Sequence, residues 1–122
     1  MNDPLKITCH CGAVELSVRL RDSLENARRC DCSYCRRRGT PTASVFRDDL
    51  KVIKGAEALS LYTFGTHTAN YNDSTTTGIY THHQRRSDPE EYGVNMGCIE
   101  GVNPKDFEPI GWHDGVNHPS DQ

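Results

Sequence analysis

Hydrophobic and polar residues alternate along several short stretches of this chain. A two-residue period of this kind is typical of β-strands that bury one face. Residues 59–64 show the clearest alternation. The pattern predicts strands over residues 5–8, 13–20, 43–46, 50–53, 59–64, 79–83 and 94–99. No long stretch has the period of an amphipathic helix and no internal repeat is visible, so the predicted class is mainly β.

Shorter signals predict the connections between these strands. Residues 9–12 fit the turn of a hairpin, and 71–77 form a polar, threonine-rich segment. Ser33 is a candidate cap for a short helical turn that ends at Gly39. Residues 87–92 suggest a second capped helical turn, with Pro89 at its start. Residues 115–122 are expected to form a flexible polar tail.

The length of the chain limits it to one domain. It has 122 residues, which is the size of a single domain, so residues 1–122 are taken as one unit with a core over about 5–110. Its hydrophobic fraction is 34%, against roughly 45–50% in typical globular domains. A core this lean often gains support from a metal ion or from oligomerisation. The oligomeric state itself does not follow from the sequence.

Charge and hydropathy exclude some classes of partner. The net charge is −3 and the isoelectric point is about 6.0, which disfavours a nucleic-acid-binding protein. No apolar run approaches the ~20 residues that span a bilayer, and the first residues do not resemble a signal peptide. We therefore expect no membrane partner and a cytoplasmic location, where thiols stay reduced.

Five of the six cysteines form two tight clusters. One is Cys9-His10-Cys11, and the other is the C-x-C-x-x-C motif that contributes the thiols of Cys30, Cys32 and Cys35. Thiolates at these spacings can reach one zinc ion from a single turn, with Zn–S bonds of about 2.3 Å. A disulfide across one intervening residue would be strained. The clusters therefore predict metal binding.

The second cluster allows two interpretations. Three thiolates leave a fourth zinc position open, as in catalytic zinc sites, whereas a closed knuckle would be purely structural. Arginines surround this cluster and would lower the thiol pKa values, which favours a reactive site. These arginines are Arg28, Arg29, Arg36, Arg37 and Arg38.

The cysteine motifs, together with later segments, resemble the glutathione-dependent formaldehyde-activating enzyme family, also called the carbon–sulfur lyase or centromere-protein-V-like family. The resemblance runs from about Thr8 to Pro104. Besides the two clusters with their flanking residues, the matching segments are Leu61-Tyr62-Thr63-Phe64-Gly65-Thr66, Gly93-Val94-Asn95 and Gly97-Cys98. The joint spacing of the two cysteine clusters is its most specific feature.

This resemblance implies a fold, a cofactor and an activity. The fold would be Mss4-like, with twisted antiparallel sheets built around two Zn²⁺ sites. Cys9 and Cys11 would be ligands of a structural site, completed in relatives by a later C-x-x-C pair. Cys30, Cys32 and Cys35 would be catalytic-site ligands. The implied function is a carbon–sulfur lyase that acts on a glutathione adduct of a small aldehyde such as formaldehyde. The alternative is a non-catalytic zinc-binding interaction module, because one fold serves many functions.

The sequence departs from the family at the later cysteine pair. Aligned through Gly78, its two thiols are replaced by Ser74 and Thr77. A neutral hydroxyl is a poor zinc ligand beside a thiolate, so the Cys9/Cys11 site is expected to be impaired. Three interpretations stay open: the site is empty or loosely filled; the segment was substituted or mis-sequenced locally; or the alignment is misleading here. The candidate substitute ligands are Asp73, His10 and Cys98.

The remaining candidates receive structural interpretations. His10 should point away from an ion bound by its neighbours, and Cys98 is expected to pack in the core. His82 and His83 are adjacent and cannot both face inward from a strand. Either one of them lines a pocket or both lie at the surface, and surface placement is favoured. His113 and His118 lie near the end of the chain, in the polar tail.

Overall fold

Two β-sheets and one short α-helix make up the protein in a computed structural model that describes residues 3–62, 70–75, 77–85, 88 and 90–113. This confirms the mainly-β class and is consistent with the Mss4-like fold. The strands are β1 (Leu5–Thr8), β2 (Glu15–Val18), β3 (Arg28–Cys30), β4 (Thr42–Phe46), β5 (Leu50–Lys54), β6 (Leu59–Tyr62), β7 (Asn70–Ser74), β8 (Tyr80–Gln84), β9 (Glu91–Asn95) and β10 (Gly111–His113). The helix is α1 (Cys35–Arg38), and 3₁₀ turns cover Leu24–Asn26, Arg47–Asp49, Ala56–Ala58, Met96–Cys98 and Pro104–Phe107.

The smaller sheet has the strand order β1-β2-β5, and the larger has the order β10-β3-β4-β9-β8-β7-β6. Neighbouring strands are antiparallel except for β10 and β3, which are parallel. This parallel pair departs from the wholly antiparallel arrangement that the resemblance implies. It places His113 opposite Cys30, so the end of the described chain lies beside the second cysteine cluster.

The main core lies where the two sheets meet. Alternate residues of β2, including Leu16 and Val18, are at most 1% exposed, as the two-residue period of that strand predicts. They cluster with Val45 from β4 and Val94 from β9. The hydrophobic alternation therefore identified the buried face of these strands correctly.

Four parts of the sequence-based prediction need correction. Of the strand predicted over residues 94–99, residues 94 and 95 belong to β9, whereas Met96–Cys98 forms a 3₁₀ turn. The polar segment 71–77 contains most of β7, and Gly111–His113 forms β10, although neither was predicted as a strand. Residues Glu91–Asn95 form β9, so the helical turn predicted over 87–92 ends in a strand; residues 87 and 89 lie outside the described part. Polar strands of this kind are held by backbone pairing to neighbours, which the side-chain pattern does not report.

The strand with the clearest alternation lies at a sheet edge. Its existence is confirmed over Leu59–Tyr62, while residues 63 and 64 lie outside the described part. Leu61 is 63% exposed; in the part of the chain that the structure describes, β6 is the edge strand of the larger sheet and pairs with β7. Alternation therefore predicted the strand but not its burial.

The short helix begins without the cap that the sequence suggested. Its N-cap residue is Tyr34, and no side chain caps it, whereas Ser33 was the predicted cap. The predicted end is confirmed, because Gly39 is the C-cap in the left-handed region that glycine adopts without strain. None of the helices among the described residues has the length and apolar character needed to cross a membrane.

The contrast between two leucines tests this account of the core. We expect Leu16→Ala to lower the free energy of unfolding by about 2–5 kcal/mol, since the buried site is left with a cavity. Leu61→Ala should change it by less than about 0.5 kcal/mol because that side chain is exposed. Urea denaturation of both variants measures the difference, and similar losses would contradict the assigned core.

Candidate metal centre

The second cysteine cluster forms one converging set of sulfur atoms. Cys30 is the last residue of β3, Cys32 lies in the following turn, and Cys35 is the first residue of α1. Their three Sγ atoms lie within 4.8 Å of one another. Tetrahedral zinc with 2.3 Å bonds separates its sulfur ligands by about 3.8 Å. The three thiols therefore suit a zinc ion and leave one position for a further ligand.

Local hydrogen bonds preorganise this loop. The Cys35 backbone N–H donates to Cys32 Sγ at 3.3 Å, and the Arg36 N–H donates to the Cys32 carbonyl at 2.9 Å. The Cys32 sulfur thus accepts an N–H at the start of α1 that would otherwise lack a partner. The same sulfur that would bind a metal replaces the missing side-chain cap of the helix.

The electrostatics of the cluster favour a thiolate. A hydrogen bond from the Cys35 thiol lowers the pKa of Cys30 to about 5, despite burial, and the charge of His113 acts in the same direction. The pKa of Cys35 is raised, chiefly by that same hydrogen bond to Cys30 and by burial. The first thiol to ionise is therefore Cys30. The leading causes are neighbouring thiols and a histidine, not the arginines that the sequence suggested.

The five arginines near this cluster are mostly engaged with the protein. Arg29 pairs with Glu108 at 2.9 Å, and Arg38 pairs with Asp73 at 3.2 Å. Arg28 and Arg37 donate to backbone carbonyl groups. Arg36, which none of these contacts holds, is exposed on α1. It is therefore available to a ligand that approaches the start of this helix.

Aromatic residues form a wall beside the cysteines. The Tyr71 hydroxyl lies 3.9 Å from Cys35 Sγ. The Tyr71 ring lies 4.3 Å from that of Tyr34 and stacks on that of His83 at 4.9 Å. Burial, followed by the nearby Cys35 thiol, raises the pKa of Tyr71 well above its usual value. Tyr71 therefore keeps its proton and can act as a hydrogen-bond donor.

Behind this wall is a second buried layer. Tyr80 Oη is hydrogen-bonded to His83 Nδ1 and lies 3.2 Å from the Gly93 carbonyl. The Arg38 guanidinium lies between the Tyr34 and Tyr80 rings, at 4.4 and 4.2 Å from their centroids. Such cation–π contacts stabilise a charge that is partly withdrawn from water. Arg38 and the tyrosines thereby fix the side of the metal centre that faces the larger sheet.

The prediction that His82 and His83 lie at the surface is wrong. They are 5% and 9% exposed, because β8 runs between β7 and β9 and both of its faces are covered. His82 Nδ1 contacts the Thr81 hydroxyl at 2.8 Å. The two histidines do point to opposite faces, as strand geometry requires, but both faces are buried.

His113 is the residue that sequence reasoning missed. It was assigned to a polar tail, but it ends β10 beside Cys30 and its charge lowers the pKa of that thiol. The one available signal for strand β10 in the sequence was Trp112, because tryptophan has a high β-propensity. In the structure Trp112 is exposed. His118 and the rest of segment 115–122 lie outside the described residues.

The first cysteine cluster faces the turn that replaces the expected cysteine pair. Cys9 and Cys11 Sγ lie 3.7 Å apart, which matches two corners of a zinc tetrahedron. Ser74 is 1% exposed and its side chain is hydrogen-bonded to Cys9. Burial alone would raise the pKa of Cys9. Its hydrogen bonds, of which the one with Ser74 has the largest effect, outweigh burial and lower the pKa to about 6. The alignment of Ser74 with a site position is thus supported by geometry.

The two facing turns share the same backbone features. Gly12 and Gly78 end them with φ values of 80° and 73°, which are accessible to glycine without strain. In the first turn, the Val14 N–H donates to Cys9 Sγ at 3.4 Å. In the second, the Thr77 N–H donates to Ser74 Oγ at 3.4 Å. Each turn therefore directs a backbone N–H to the side chain at its start, which is a thiol in Cys9 and a hydroxyl in Ser74.

This donor set does not fit a closed structural zinc site. Two thiolates remain, and the groups opposite them are neutral hydroxyls, which bind zinc poorly. Two of the three proposed substitutes contact other groups: Asp73 pairs with Arg38, and the Cys98 thiol donates a hydrogen bond to the Tyr80 carbonyl. The third, His10, is exposed. In the part of the chain that the structure describes, the group of potential ligands close enough together to hold a metal ion is Cys30, Cys32 and Cys35.

The fold and the site define a class of small β-protein with a cluster of three thiols that could hold a metal ion. A family model described as "Glutathione-dependent formaldehyde-activating enzyme" matches residues 4–113. The chain belongs to this family. It is also similar to a protein of known crystal structure from Rhodobacter sphaeroides, with 58% sequence identity and a TM-score of 0.87. That match covers 88% of this chain and 99% of the other.

The buried histidines predict an acid-sensitive fold. Burial lowers the pKa of His82 to about 4 and that of His83 to about 3, whereas an unfolded histidine titrates near 6.5. Between these values the unfolded chain binds more protons, so stability falls as the pH drops below about 6.5.

Each such histidine contributes a slope of up to about 1.4 kcal/mol per pH unit. We expect His82→Gln to reduce the slope of unfolding free energy between pH 6 and 5 by about this amount. Denaturant titrations of both proteins across this range measure the slope. Equal slopes would show that His82 is protonated in the folded state.

Proposed function

We propose that this protein is a zinc-dependent carbon–sulfur lyase-like enzyme that acts on the glutathione adduct of a small aldehyde such as formaldehyde. The convergence of three thiol sulfurs within 4.8 Å is the observation that carries this proposal. Family membership supplies the reaction class. The proposal includes a cytoplasmic location, where these thiols would stay reduced.

The proposed reaction joins a thiol to a carbonyl carbon. The glutathione thiol loses its proton, its sulfur forms a bond to the aldehyde carbon, and the carbonyl π electrons move to oxygen, which takes up a proton. A zinc ion held by Cys30, Cys32 and Cys35 would supply the positive charge that stabilises the glutathione thiolate. The reverse sequence breaks the carbon–sulfur bond and returns the same thiol and aldehyde.

The surroundings of the cluster support an anionic ligand. The exposed Arg36 follows Cys35 directly, whereas Arg29 and Arg38 are paired with Glu108 and Asp73. A guanidinium binds a carboxylate through two parallel hydrogen bonds. We therefore propose Arg36 as the residue that meets a glutathione carboxylate.

The response to glutathione tests the reaction class. We expect glutathione to raise the melting temperature, since a ligand at about 100 times its dissociation constant stabilises the native state by about 2.7 kcal/mol. It should also change the thiolate-to-metal absorption of cobalt-substituted protein. Cys32→Ser should abolish both responses, whereas Cys98→Ala, outside the cluster, should retain them.

Two results would reject the lyase proposal. One is wild-type protein that shows neither response to glutathione, which would favour the non-catalytic interaction module. The other is a Cys32→Ser variant that retains full metal content and a normal glutathione response, since the cluster would then not be the site.

We further propose that the chain binds one zinc ion and that its Cys9/Cys11 site is impaired. The two-thiolate donor set beside Ser74 supports this stoichiometry. The double variant Ser74→Cys/Thr77→Cys should raise the zinc content from about one towards two ions per chain. It should also raise the melting temperature, because structural zinc contributes on the order of 10 kcal/mol in small domains.

Elemental analysis with thermal unfolding measures both effects. Ser74→Ala/Thr77→Ala is the matched control and should leave the zinc content near one. Two ions in the wild-type protein, or no gain in the double cysteine variant, would contradict the impaired-site proposal.

A further inference from the structure

We infer that Tyr71 is a positioning residue of the metal centre, whose hydroxyl donates a hydrogen bond to the Cys35 sulfur and holds that ligand in place. The inference rests on the proposed function in one respect, which is that the cluster binds a metal. It does not depend on the identity of the substrate. Nothing in the sequence marked Tyr71, which lies in a polar, threonine-rich segment.

The contact joins two separate parts of the fold. Tyr71 lies on β7 and Cys35 is the first residue of α1, and the Tyr71 Oη–Cys35 Sγ distance of 3.9 Å is within reach of a hydrogen bond to sulfur. Tyr71 is 7% exposed, so water competes little for its hydroxyl. The bond therefore ties the cysteine loop to the larger sheet.

The direction of the bond follows from metal binding. A thiolate bound to a metal carries no proton and can only accept, so the phenolic hydroxyl must be the donor. A hydrogen bond to an ionised acceptor is roughly twice as strong as one between neutral groups. Donation withdraws electron density from the Cys35 sulfur, which makes this ligand less nucleophilic than it would be without the hydroxyl.

The ring of Tyr71 is held so that its hydroxyl has little freedom. It packs between Tyr34, at 4.3 Å, and His83, at 4.9 Å with an interplanar angle of 19°. Tyr80 fixes His83 from behind through the bond to Nδ1. Metal ligands are generally oriented by such outer partners, whose loss costs about 10–100-fold in metal affinity or activity. Tyr71 has the position and the rigidity for this role.

Substitution of Tyr71 by phenylalanine separates this role from packing, because the ring stays and only the hydroxyl is lost. We expect Tyr71→Phe to weaken zinc binding by about 10-fold or more, measured by competition with a chromogenic chelator. In the cobalt-substituted protein, the thiolate-to-metal absorption band should move to longer wavelength, because a thiolate without the donor releases electrons more readily. Tyr92→Phe is the matched control: Tyr92 contacts His82 on the neighbouring strand.

The band position distinguishes the outcomes. A shifted band with weaker binding in Tyr71→Phe alone supports the inference. An unshifted band overturns it even if binding weakens, since the loss would then come from packing. If Tyr71→Phe does not fold, 3-fluorotyrosine at position 71 retains the ring and hydroxyl but is a stronger donor. Its band should move to shorter wavelength, and an unchanged band would overturn the inference.

The glutathione result is independent of this test. If Tyr71→Phe shifts the cobalt band while glutathione leaves the wild-type spectrum unchanged, Tyr71 keeps its positioning role and the lyase proposal fails. If wild-type protein binds neither zinc nor cobalt at the cluster, both the metal proposal and the role of Tyr71 are wrong.

Discussion

Three sulfur atoms from one short stretch of chain converge on the same point, and the rest of this site depends on that constraint. Their Sγ atoms lie within 4.8 Å, a separation at which like charges would repel strongly in a partly buried site. Hydrogen bonds among the thiols share one proton between Cys30 and Cys35 and so relieve that repulsion. A divalent ion relieves it more fully, and the surrounding wall of tyrosines and Arg38 keeps the loop in the geometry that such an ion needs.

We propose that the first cluster keeps a metal-type turn although hydroxyls stand where the resemblance implies two further thiol ligands. Cys9 and Ser74 are still in contact across the two turns, and backbone N–H groups still donate to Sγ and Oγ as they would to thiolates. In this proposal, a hydrogen bond that contributes about 1 kcal/mol stands in place of a strong metal–ligand link. The main hydrophobic core, which includes Cys9, surrounds this contact and helps to hold the turns together without four thiolates.

Much of this architecture could be predicted from the sequence. Two-residue alternation identified β2 and β4, and the cysteine spacing brought Cys30, Cys32 and Cys35 together. Local patterns failed where long-range pairing decides the outcome. The polar strand β7 and the terminal strand β10 are held by neighbours distant in sequence, and so Tyr71 and His113 could not be placed beside the thiols. The burial of His82 and His83 likewise depends on strand order, which no local pattern contains.

The coordination of the bound metal tests the central claim most directly. X-ray absorption at the zinc edge of the purified protein should show three sulfur neighbours at about 2.3 Å and one lighter ligand. Addition of glutathione should replace the lighter ligand by a fourth sulfur. A site with four sulfurs before glutathione is added, or with fewer than three, would contradict an open three-thiolate centre.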